Sequence, residues 1–301
     1  MSARSWRIGI FAPSGYVLEA AALDRAVVRL REAGHRVVVD PTARGRWQRF
    51  SATDAERAAA IERMTASGDV ELVVAARGGY GCSRLLDGLD FAAIARARKR
   101  WMGHSDFTAF QLAALARGGM VSFAGPMASY DFGAPELSEF TARHCWELLD
   151  NDRYAVEFES PAATEFSCKG PLWGGNLAMI AHLAGGPYLP AIDGGILFVE
   201  DVGEHPYRIE RMFYQLHFAG VLQRQHAVLL GSFSGYGLGT NDGGYDLDAM
   251  LAHVRSRITV PLIPGLPFGH CADKLTLPVG GRCALEVSGG RARLELSEYQ
   301  P

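Results

Sequence analysis

A serine that falls between a strand and a helix is the first feature of this chain that could do chemistry. The short apolar run ending at Gly103 predicts a strand, and the apolar spacing after Phe107 predicts a helix, so Ser105 falls at the turn between them. The first free amides of a helix, together with its dipole, can stabilise an oxyanion beside such a hydroxyl. Ser105 is therefore a candidate nucleophile. Phe107 stands where a hydrolase elbow has its second glycine, so a helix cap at Ser105 is the alternative.

A serine nucleophile needs a base that takes its proton and a carboxylate that orients the base. Among the 9 histidines, His270 stands out because it follows Gly269 in a loop rich in glycine and proline, which can hold an imidazole rigidly. A surface histidine bonded to backbone is the alternative interpretation. The candidate acid is Glu200, which an apolar strand delivers to its carboxyl end. Asp201 and Glu204 compete for the same role.

A glycine-rich segment, Arg77-Gly78-Gly79-Tyr80-Gly81, follows another apolar strand. Glycines let backbone amides approach a ligand closely, which suits an oxyanion hole or a phosphate cradle. The segment lacks the Gly-x-Gly-x-x-Gly spacing, so a dinucleotide site is not expected. The chain also has neither the His-Glu-x-x-His motif nor a Walker loop. The acidic stretch 241–248 lacks the spacing of a calcium loop and predicts a turn and a helix cap. We expect no metal and no organic cofactor.

An α/β fold is predicted to position these residues. In the first 150 residues, apolar strand-like runs alternate with helical spacing, which predicts a parallel sheet covered on both faces. The predicted strands cover 6–12, 35–40 and 70–76, and the predicted helices cover 18–33, 54–67 and 136–149. Ligands bind outside the carboxyl ends of such strands, so the Arg77 segment and Ser105 should line one edge.

The less regular stretch 151–169 predicts a surface linker, and a second domain is expected over 170–301. Short strands and glycine-rich turns late in the chain favour a smaller mixed α/β domain, built as a barrel or a sandwich. Its predicted strands cover 195–200, 227–233, 283–287 and 292–296, and its predicted helices cover 176–183, 207–219 and 247–257.

Composition narrows the possible partners and the cellular location. The 301 residues are 48% hydrophobic and 21% charged, which suits a globular enzyme. A net charge of -3 gives no reason to expect nucleic acid or an anionic membrane as partner. No apolar run predicts a membrane span or a signal peptide, so we expect a cytoplasmic protein. The 5 cysteines include no Cys-x-x-Cys pair and predict reduced thiols. Cys271 adjoins His270, but adjacent side chains usually point apart, which argues against a Cys–His pair.

Five short motifs follow one another between the first strand and about Pro278. They are Arg77-Gly-Gly-Tyr-Gly81, Gly103-His-Ser-Asp-Phe-Thr108, Trp173-Gly-Gly-Asn-Leu177, Leu197-Phe-Val-Glu-Asp201 with Tyr207-Arg-Ile-Glu-Arg211, and Gly265-Leu-Pro-Phe-Gly-His270. Each motif alone is weak, but five in this order are specific. The chain resembles the LD-carboxypeptidase family of serine peptidases, the group of muramoyltetrapeptide carboxypeptidases and microcin C self-immunity proteins.

The resemblance implies a Ser-His-Glu triad in which Ser105 is the nucleophile, Glu200 the acid and His270 the base. It implies an oxyanion hole made by the amide of Asp106 and that of Gly78 or Gly79. It also implies a Rossmann-like (flavodoxin-like) parallel-sheet N-terminal domain and a smaller barrel-like C-terminal domain. The active site would lie in the cleft between them, and the protein would be a homodimer.

Hydrolysis of an L,D-peptide bond, which releases the terminal D-alanine of a murein tetrapeptide, is the first function that the resemblance implies. Arg77, or the amides and side chain around Asn176, could hold the free carboxylate of such a small peptide. An alternative is a microcin C self-immunity-like peptidase that cleaves peptidyl or aminoacyl nucleotides, with Trp173 or Tyr236 as a platform for the base or as part of the core. A binding protein that grips a small acidic ligand without chemistry is the second alternative, and the Ser–Glu–His set argues against it.

Overall fold

Two β-sheets organise the chain, one for each half of the sequence. The computed structural model describes residue 2, residues 4–161 and residues 165–300. The strands are β1 (Arg7–Phe11), β2 (Arg36–Val39), β3 (Leu72–Ala75), β4 (Arg100–Gly103), β5 (Ser122–Ala124), β6 (Tyr154–Glu159), β7 (Phe166–Asn176), β8 (Gly195–Val202), β9 (Gln225–Ser234), β10 (Leu262–Pro264), β11 (Leu277–Val279), β12 (Arg282–Ser288) and β13 (Arg291–Ser297).

Helices cover both sheets. They are α1 (Ala20–Glu32), α2 (Asp54–Ala66), α3 (Phe91–Arg96), α4 (Thr108–Gly118), α5 (Glu139–Asp150), α6 (Leu177–Leu183), α7 (Pro206–Phe218) and α8 (Leu247–Arg257). Sequence sets their ends and faces. In α2, Thr53 and Glu56 form a capping box, and α1 buries Leu23, Ala26 and Leu30 at helical spacing. No helix among the described residues is both long and apolar enough to cross a membrane.

The first sheet has the strand order β2-β1-β3-β4-β5-β11. Its first five strands are parallel and follow the flavodoxin-like order, so the predicted fold class of the N-terminal half is confirmed. β11 comes from the far end of the chain and adds to β5 in antiparallel orientation. The order reverses between β1 and β3, and at this reversal such a sheet opens a crevice for ligands.

The second sheet has the order β10-β9-β8-β7-β12-β13-β6 and is not closed into a barrel. Strand β7 explains why. Its residues 166–171 pair with β12, whereas its residues 172–176 pair with β8. The sheet therefore has an antiparallel part and a parallel part, which are joined by the two ends of β7. Strands β10 and β6 remain as its open edges. The predicted smaller mixed α/β domain is confirmed, and its barrel-like sheet is open rather than closed.

The stretch 151–169 differs from the predicted linker. It contains β6 and the beginning of β7, and β6 pairs with β13. Alternation explains the ordered strand, because Val156 and Phe158 are buried while Ala155, Glu157 and Glu159 are exposed. Residues 162–164 of the predicted linker lie outside the described part of the chain. The division into domains 1–150 and 170–301 stays a prediction.

The turn after β4 depends on a close approach at Gly103. A Cβ built there would lie 2.8 Å from Cδ1 of Phe107 and 2.9 Å from Cβ of Ala75. Phe107 is fully buried and packs face to face on Phe110 with ring centroids 4.9 Å apart. The phenyl ring therefore fills the space that a side chain at residue 103 would need.

We expect Gly103→Ala to destabilise the protein by about 1–3 kcal/mol, because a buried aromatic ring and a strand must both shift. Urea denaturation of the variant and the wild type measures this difference. Gly68→Ala is the matched control, since nothing lies within 4 Å of its Cβ position. A Gly103 variant as stable as the control would contradict the packing argument.

Candidate active site

Ser105 begins the helical turn between β4 and α4 with a strained backbone. Its φ is 63°, in the left-handed region that residues with side chains rarely occupy. The residue is half-buried, while its neighbours His104 and Asp106 are buried. A strained strand-to-helix turn that presents a hydroxyl is typical of a nucleophile elbow.

Gly78 leaves room beside this hydroxyl. A Cβ at Gly78 would lie 2.8 Å from Oγ of Ser105 and 3.4 Å from the amide nitrogen of Asp106. Among the described residues, the N–H groups of Gly78 and Gly79 donate no hydrogen bond. Asp106 lies in the first turn, where a helix offers its amide no acceptor. The predicted oxyanion donors thus surround a space next to Ser105.

The carboxylate of Asp106 holds this turn in place. Its Oδ2 accepts a hydrogen bond of 2.6 Å from Oγ of Ser14 and one of 2.9 Å from the amide of Cys82. Ser14 follows β1 and Cys82 follows the glycine-rich segment after β3. The side chain of Asp106 therefore joins three strand ends, whereas its amide remains the candidate oxyanion donor.

Glu200 and His270, the predicted acid and base, are in contact. Nδ1 of His270 lies 2.8 Å from Oε2 of Glu200, which is fully buried near the end of β8. Burial by itself would raise the pKa of Glu200, but the hydrogen bond and charge of His270 bring that pKa below its ordinary value. A carboxylate at Nδ1 assigns the proton to that nitrogen and leaves Nε2 as the acceptor for a nucleophile's proton.

Asn176 orients this couple from the end of β7. Its amide group donates to Oε1 of Glu200 at 3.2 Å and to Oδ1 of Asp201 at 2.9 Å, while its oxygen accepts from the amide of Met179. Asp201 also accepts from the amides of Ala178 and Val202. Burial, with the nearby charge of Glu200, raises the pKa of Asp201 to about 6. Glu200 rather than Asp201 thus contacts His270, and its role as the acid stays a prediction.

A second buried ionisable cluster lies against the couple. Nε2 of His104 is 3.3 Å from Oδ2 of Asp131, and Oδ1 of Asp131 contacts the ammonium of Lys274. His104 and His270 have ring centroids 5.0 Å apart. Burial lowers the pKa of His104, so this ring is neutral at pH 7. Burial would raise the pKa of Asp131, but His104 and Lys274 bring it below its ordinary value.

Hydrogen bonds from the first turn of α5 fasten the loop that carries His270. Oγ1 of Thr141 donates to the carbonyl of Ala272 at 2.8 Å and accepts from the amide of Lys274 at 2.9 Å. Oγ of Ser138 donates to Asp273 at 2.6 Å. Ser138 and Thr141 belong to the first half of the chain, so these contacts dock the base onto the half that carries Ser105.

Two clefts open on either side of Tyr130, whose side chain is 49% exposed. One of about 220 Å³ is lined by His270 and Asp131. The other, of about 300 Å³, is lined by Arg77 and Ser129. Tyr130 lines both clefts, and its ring lies 6.3 Å from that of His270, which lines the smaller of the two.

The predicted site residues lie in two separate groups. Ser105, Gly78 and Asp106 are together, and so are Glu200 and His270. Within the described residues, Oγ of Ser105 makes no hydrogen bond, so the Ser105–His270 contact is not formed. Such contacts often tighten only when substrate is bound.

Two predicted substrate residues serve other roles. Trp173 is fully buried and donates to Oε1 of Gln225 at 2.8 Å, so its ring belongs to the core rather than to a ligand surface. The amide hydrogens of Asn176 are already taken by two carboxylates. Sequence reasoning missed Asp131 and Lys274, because no local motif joins them to His104.

In the described part of the chain, no group of three or more His, Cys, Asp or Glu side chains could hold a metal ion.

Comparison with known proteins gives the same family for both halves. Residues 8–125 match the LD-carboxypeptidase N-terminal domain, and residues 169–285 match the LD-carboxypeptidase C-terminal domain. The chain belongs to the LD-carboxypeptidase family. It is therefore a serine carboxypeptidase, and the predicted reaction class is confirmed.

Three relatives describe the range of this family. The crystal structure of muramoyltetrapeptide carboxypeptidase from Oxalobacter formigenes is 46% identical, with a TM-score of 0.93, and the match covers 98% of this chain and 99% of that one. The murein tetrapeptide carboxypeptidase of Pseudomonas aeruginosa is 30% identical over 95% of this chain and 94% of its own. The microcin C7 self-immunity protein MccF of Escherichia coli is 26% identical over 78% of this chain and 77% of its own.

We expect Lys274→Met to destabilise this LD-carboxypeptidase by about 3–5 kcal/mol, because it leaves the buried carboxylate of Asp131 without its cation. The double variant Lys274→Met with Asp131→Asn removes that charge and should recover much of the loss. Urea denaturation measures both. Arg44→Met, which breaks an exposed ion pair with Asp24, is the control and should change stability little. A double variant no more stable than Lys274→Met would contradict this account.

His104 should also make stability depend on pH. Because its pKa is lowered in the folded state from 6.5, unfolding takes up a proton as the pH falls below that value. Its contribution is therefore present above about pH 6.5 and lost as the pH falls. Between pH 7 and 5, His104→Gln should reduce the slope of unfolding free energy against pH by up to about 1.4 kcal/mol per unit. Urea denaturation across this range measures it, and an unchanged slope would exclude a buried neutral His104.

Proposed function

We propose that this protein removes the terminal D-alanine from a murein tetrapeptide by hydrolysing the L,D-peptide bond at the diamino acid. Two features carry the proposal. A strained Ser105 lies beside free glycine amides, and His270 contacts the buried Glu200. The names of the Oxalobacter and Pseudomonas relatives, muramoyltetrapeptide and murein tetrapeptide carboxypeptidase, supply the substrate.

The proposed reaction proceeds in two steps through an acyl-enzyme. Nε2 of His270 takes the proton of Ser105 as Oγ attacks the scissile carbonyl carbon, and Glu200 stabilises the imidazolium through Nδ1. The amides of Asp106 and of Gly78 or Gly79 hold the oxyanion. His270 then gives its proton to the departing amine of D-alanine. Water, deprotonated by the same His270, releases the peptide from Ser105.

Substrate binding and positioning fall to different residues in this proposal. Arg77 lies half-buried between the 300 Å³ cleft and Gly78, which suits the free carboxylate of the leaving D-alanine. Asn176 acts as a positioning residue, because it fixes the orientation of Glu200. Trp173 has no part in binding here.

A cytoplasmic location and a homodimer complete the proposal. Both follow from the family resemblance, since its recycling members act on a cytoplasmic murein tetrapeptide. The strongly exposed Phe218 (79%) at the end of α7 gives one apolar surface that a second copy could cover. Light scattering after size-exclusion chromatography distinguishes a dimer from a monomer.

Cleavage of a peptidyl or aminoacyl nucleotide is the second candidate. It is favoured by the similarity to MccF, one structure of which, 24% identical with a TM-score of 0.88 over 98% of this chain and 96% of that one, holds aspartyl sulfamoyl adenosine. The burial of Trp173 leaves Tyr236, which is partly exposed, as the aromatic platform considered for the base.

Mass spectrometry of L-Ala-γ-D-Glu-meso-diaminopimelate-D-Ala incubated with enzyme tests the first candidate. Wild type should release D-alanine, and Ser105→Ala or His270→Ala should be slower by about 10⁴-fold or more, because each removes a member of the triad. Ser167→Ala, at an exposed serine on β7, is the control. Near-normal turnover by Ser105→Ala would overturn the mechanism. Cleavage of an acyl-sulfamoyl adenylate alone would favour the second candidate.

A further inference from the structure

Three arginines gather at the point where the strand order of the first sheet reverses. Arg77 follows β3, while Arg46 and Arg49 lie on the loop between β2 and α2. Nη1 of Arg77 donates to the carbonyl of Tyr16 at 2.7 Å, and the amide of Gly15 donates to the carbonyl of Gly78 at 3.0 Å. Backbone contacts thus hold the segments after β1 and β3 together. We call Arg46, Arg49 and Arg77 the arginine cluster.

Aromatic rings support the two loop arginines. The guanidinium carbon of Arg46 lies 4.3 Å from the ring centroid of Tyr16, and that of Arg49 lies 5.6 Å from that of Tyr80. Stacking restricts a guanidinium without using its N–H groups. The donors of Arg46 and Arg49 are therefore oriented yet free for a ligand.

The positive charge of the arginine cluster is not balanced by the chain. Among the described residues, no Asp or Glu forms an ion pair with Arg46, Arg49 or Arg77, although the nearby Arg44 pairs with Asp24 and Arg84 with Asp54. Burial lowers the pKa of Arg77, and the charge of Arg49 adds to this effect. Unpaired guanidinium groups that repel one another favour an anion between them.

The arginine cluster adjoins the nucleophile. Gly78 follows Arg77 directly, and its Cβ position is 2.8 Å from Oγ of Ser105. A Cβ at Gly15 would lie 3.0 Å from Nη1 of Arg77. Arg77 therefore joins the arginine cluster to the glycine that faces Ser105, which suits an anionic group of the molecule whose carbonyl faces that hydroxyl.

We infer that Arg46 and Arg49 bind a second anionic group of the substrate, beyond the terminal carboxylate proposed for Arg77. The inference rests on the proposed function and adds a requirement to it. The murein tetrapeptide carries further carboxylates on its glutamyl and diaminopimelate residues, and the phosphates of a nucleotide-linked form offer the same chemistry. This enzyme selects acidic peptides by charge as well as by the stereochemistry of the scissile bond.

Substrate amidation tests the inference. The double variant Arg46→Gln with Arg49→Gln should lower kcat/KM for the free-acid tetrapeptide by about 10- to 100-fold, mainly through KM, because charged hydrogen bonds are lost. Wild type should cleave the tetrapeptide with amidated glutamyl and diaminopimelate side carboxyls correspondingly slowly, and the double variant should slow it little further. Arg44→Gln, on the same loop and paired with Asp24, is the control and should behave as wild type.

The substrates distinguish the sources of the anion. A loss confined to a nucleotide-linked muramyl tetrapeptide would assign the arginine cluster to phosphates and still support the inference. Two results would overturn it. One is equal cleavage of free-acid and amidated peptides by wild type, together with no loss for the nucleotide-linked form in the double variant. The other is an equal loss for all substrates in the double variant.

Binding measurements keep the inference separate from the proposed function. Calorimetry with Ser105→Ala should show weaker binding of the free-acid tetrapeptide when Arg46 and Arg49 are also replaced by Gln. If wild type cleaves no murein peptide, the proposed function fails, and this comparison still decides the inference. Unchanged affinity of the triple variant for both the free-acid and the nucleotide-linked tetrapeptide would reject it.

Discussion

The buried contact between Asp131 and Lys274 is the interaction on which the site depends. The residues of the proposed triad come from both halves of the chain, with Ser105 after a strand of the first sheet and Glu200 within a strand of the second. His270 must serve both, and its loop is docked on the first half through Lys274. Three residues beyond Lys274 the chain enters β11, which completes the first sheet. The second half is thus anchored to the first directly after the base.

Close backbone approach is the second constraint. Gly103 admits the ring of Phe107, and Gly78 admits the hydroxyl of Ser105, so neither position has room for a side chain. The carboxylate of Asp106 then ties the strained turn to the ends of β1 and β3 through Ser14 and Cys82. These contacts offset the cost of the left-handed backbone at Ser105, about 1–3 kcal/mol, and keep the hydroxyl beside the free amides.

Local sequence patterns predicted those parts of the site that are formed by residues close together in the chain. The turn at Ser105, the strand that delivers Glu200 and the loop that carries His270 each have a local signature. The cluster of His104, Asp131 and Lys274 has none, because its members lie 27 and 143 residues apart along the chain. Trp173 shows a different error. It was predicted to contact substrate because it lies in a motif, but its side chain is buried in the core. β6 was missed because two of its three exposed residues are glutamates, although the alternation of buried and exposed residues was present.

A crystal structure of Ser105→Ala with the intact murein tetrapeptide would test the central claim most directly. The account predicts the scissile carbonyl oxygen within hydrogen-bond distance of the amide of Asp106 and of Gly78 or Gly79, with Nε2 of His270 facing Cβ of residue 105. A tetrapeptide bound away from this turn, or a His270 loop released from Asp131 when the peptide is bound, would contradict it.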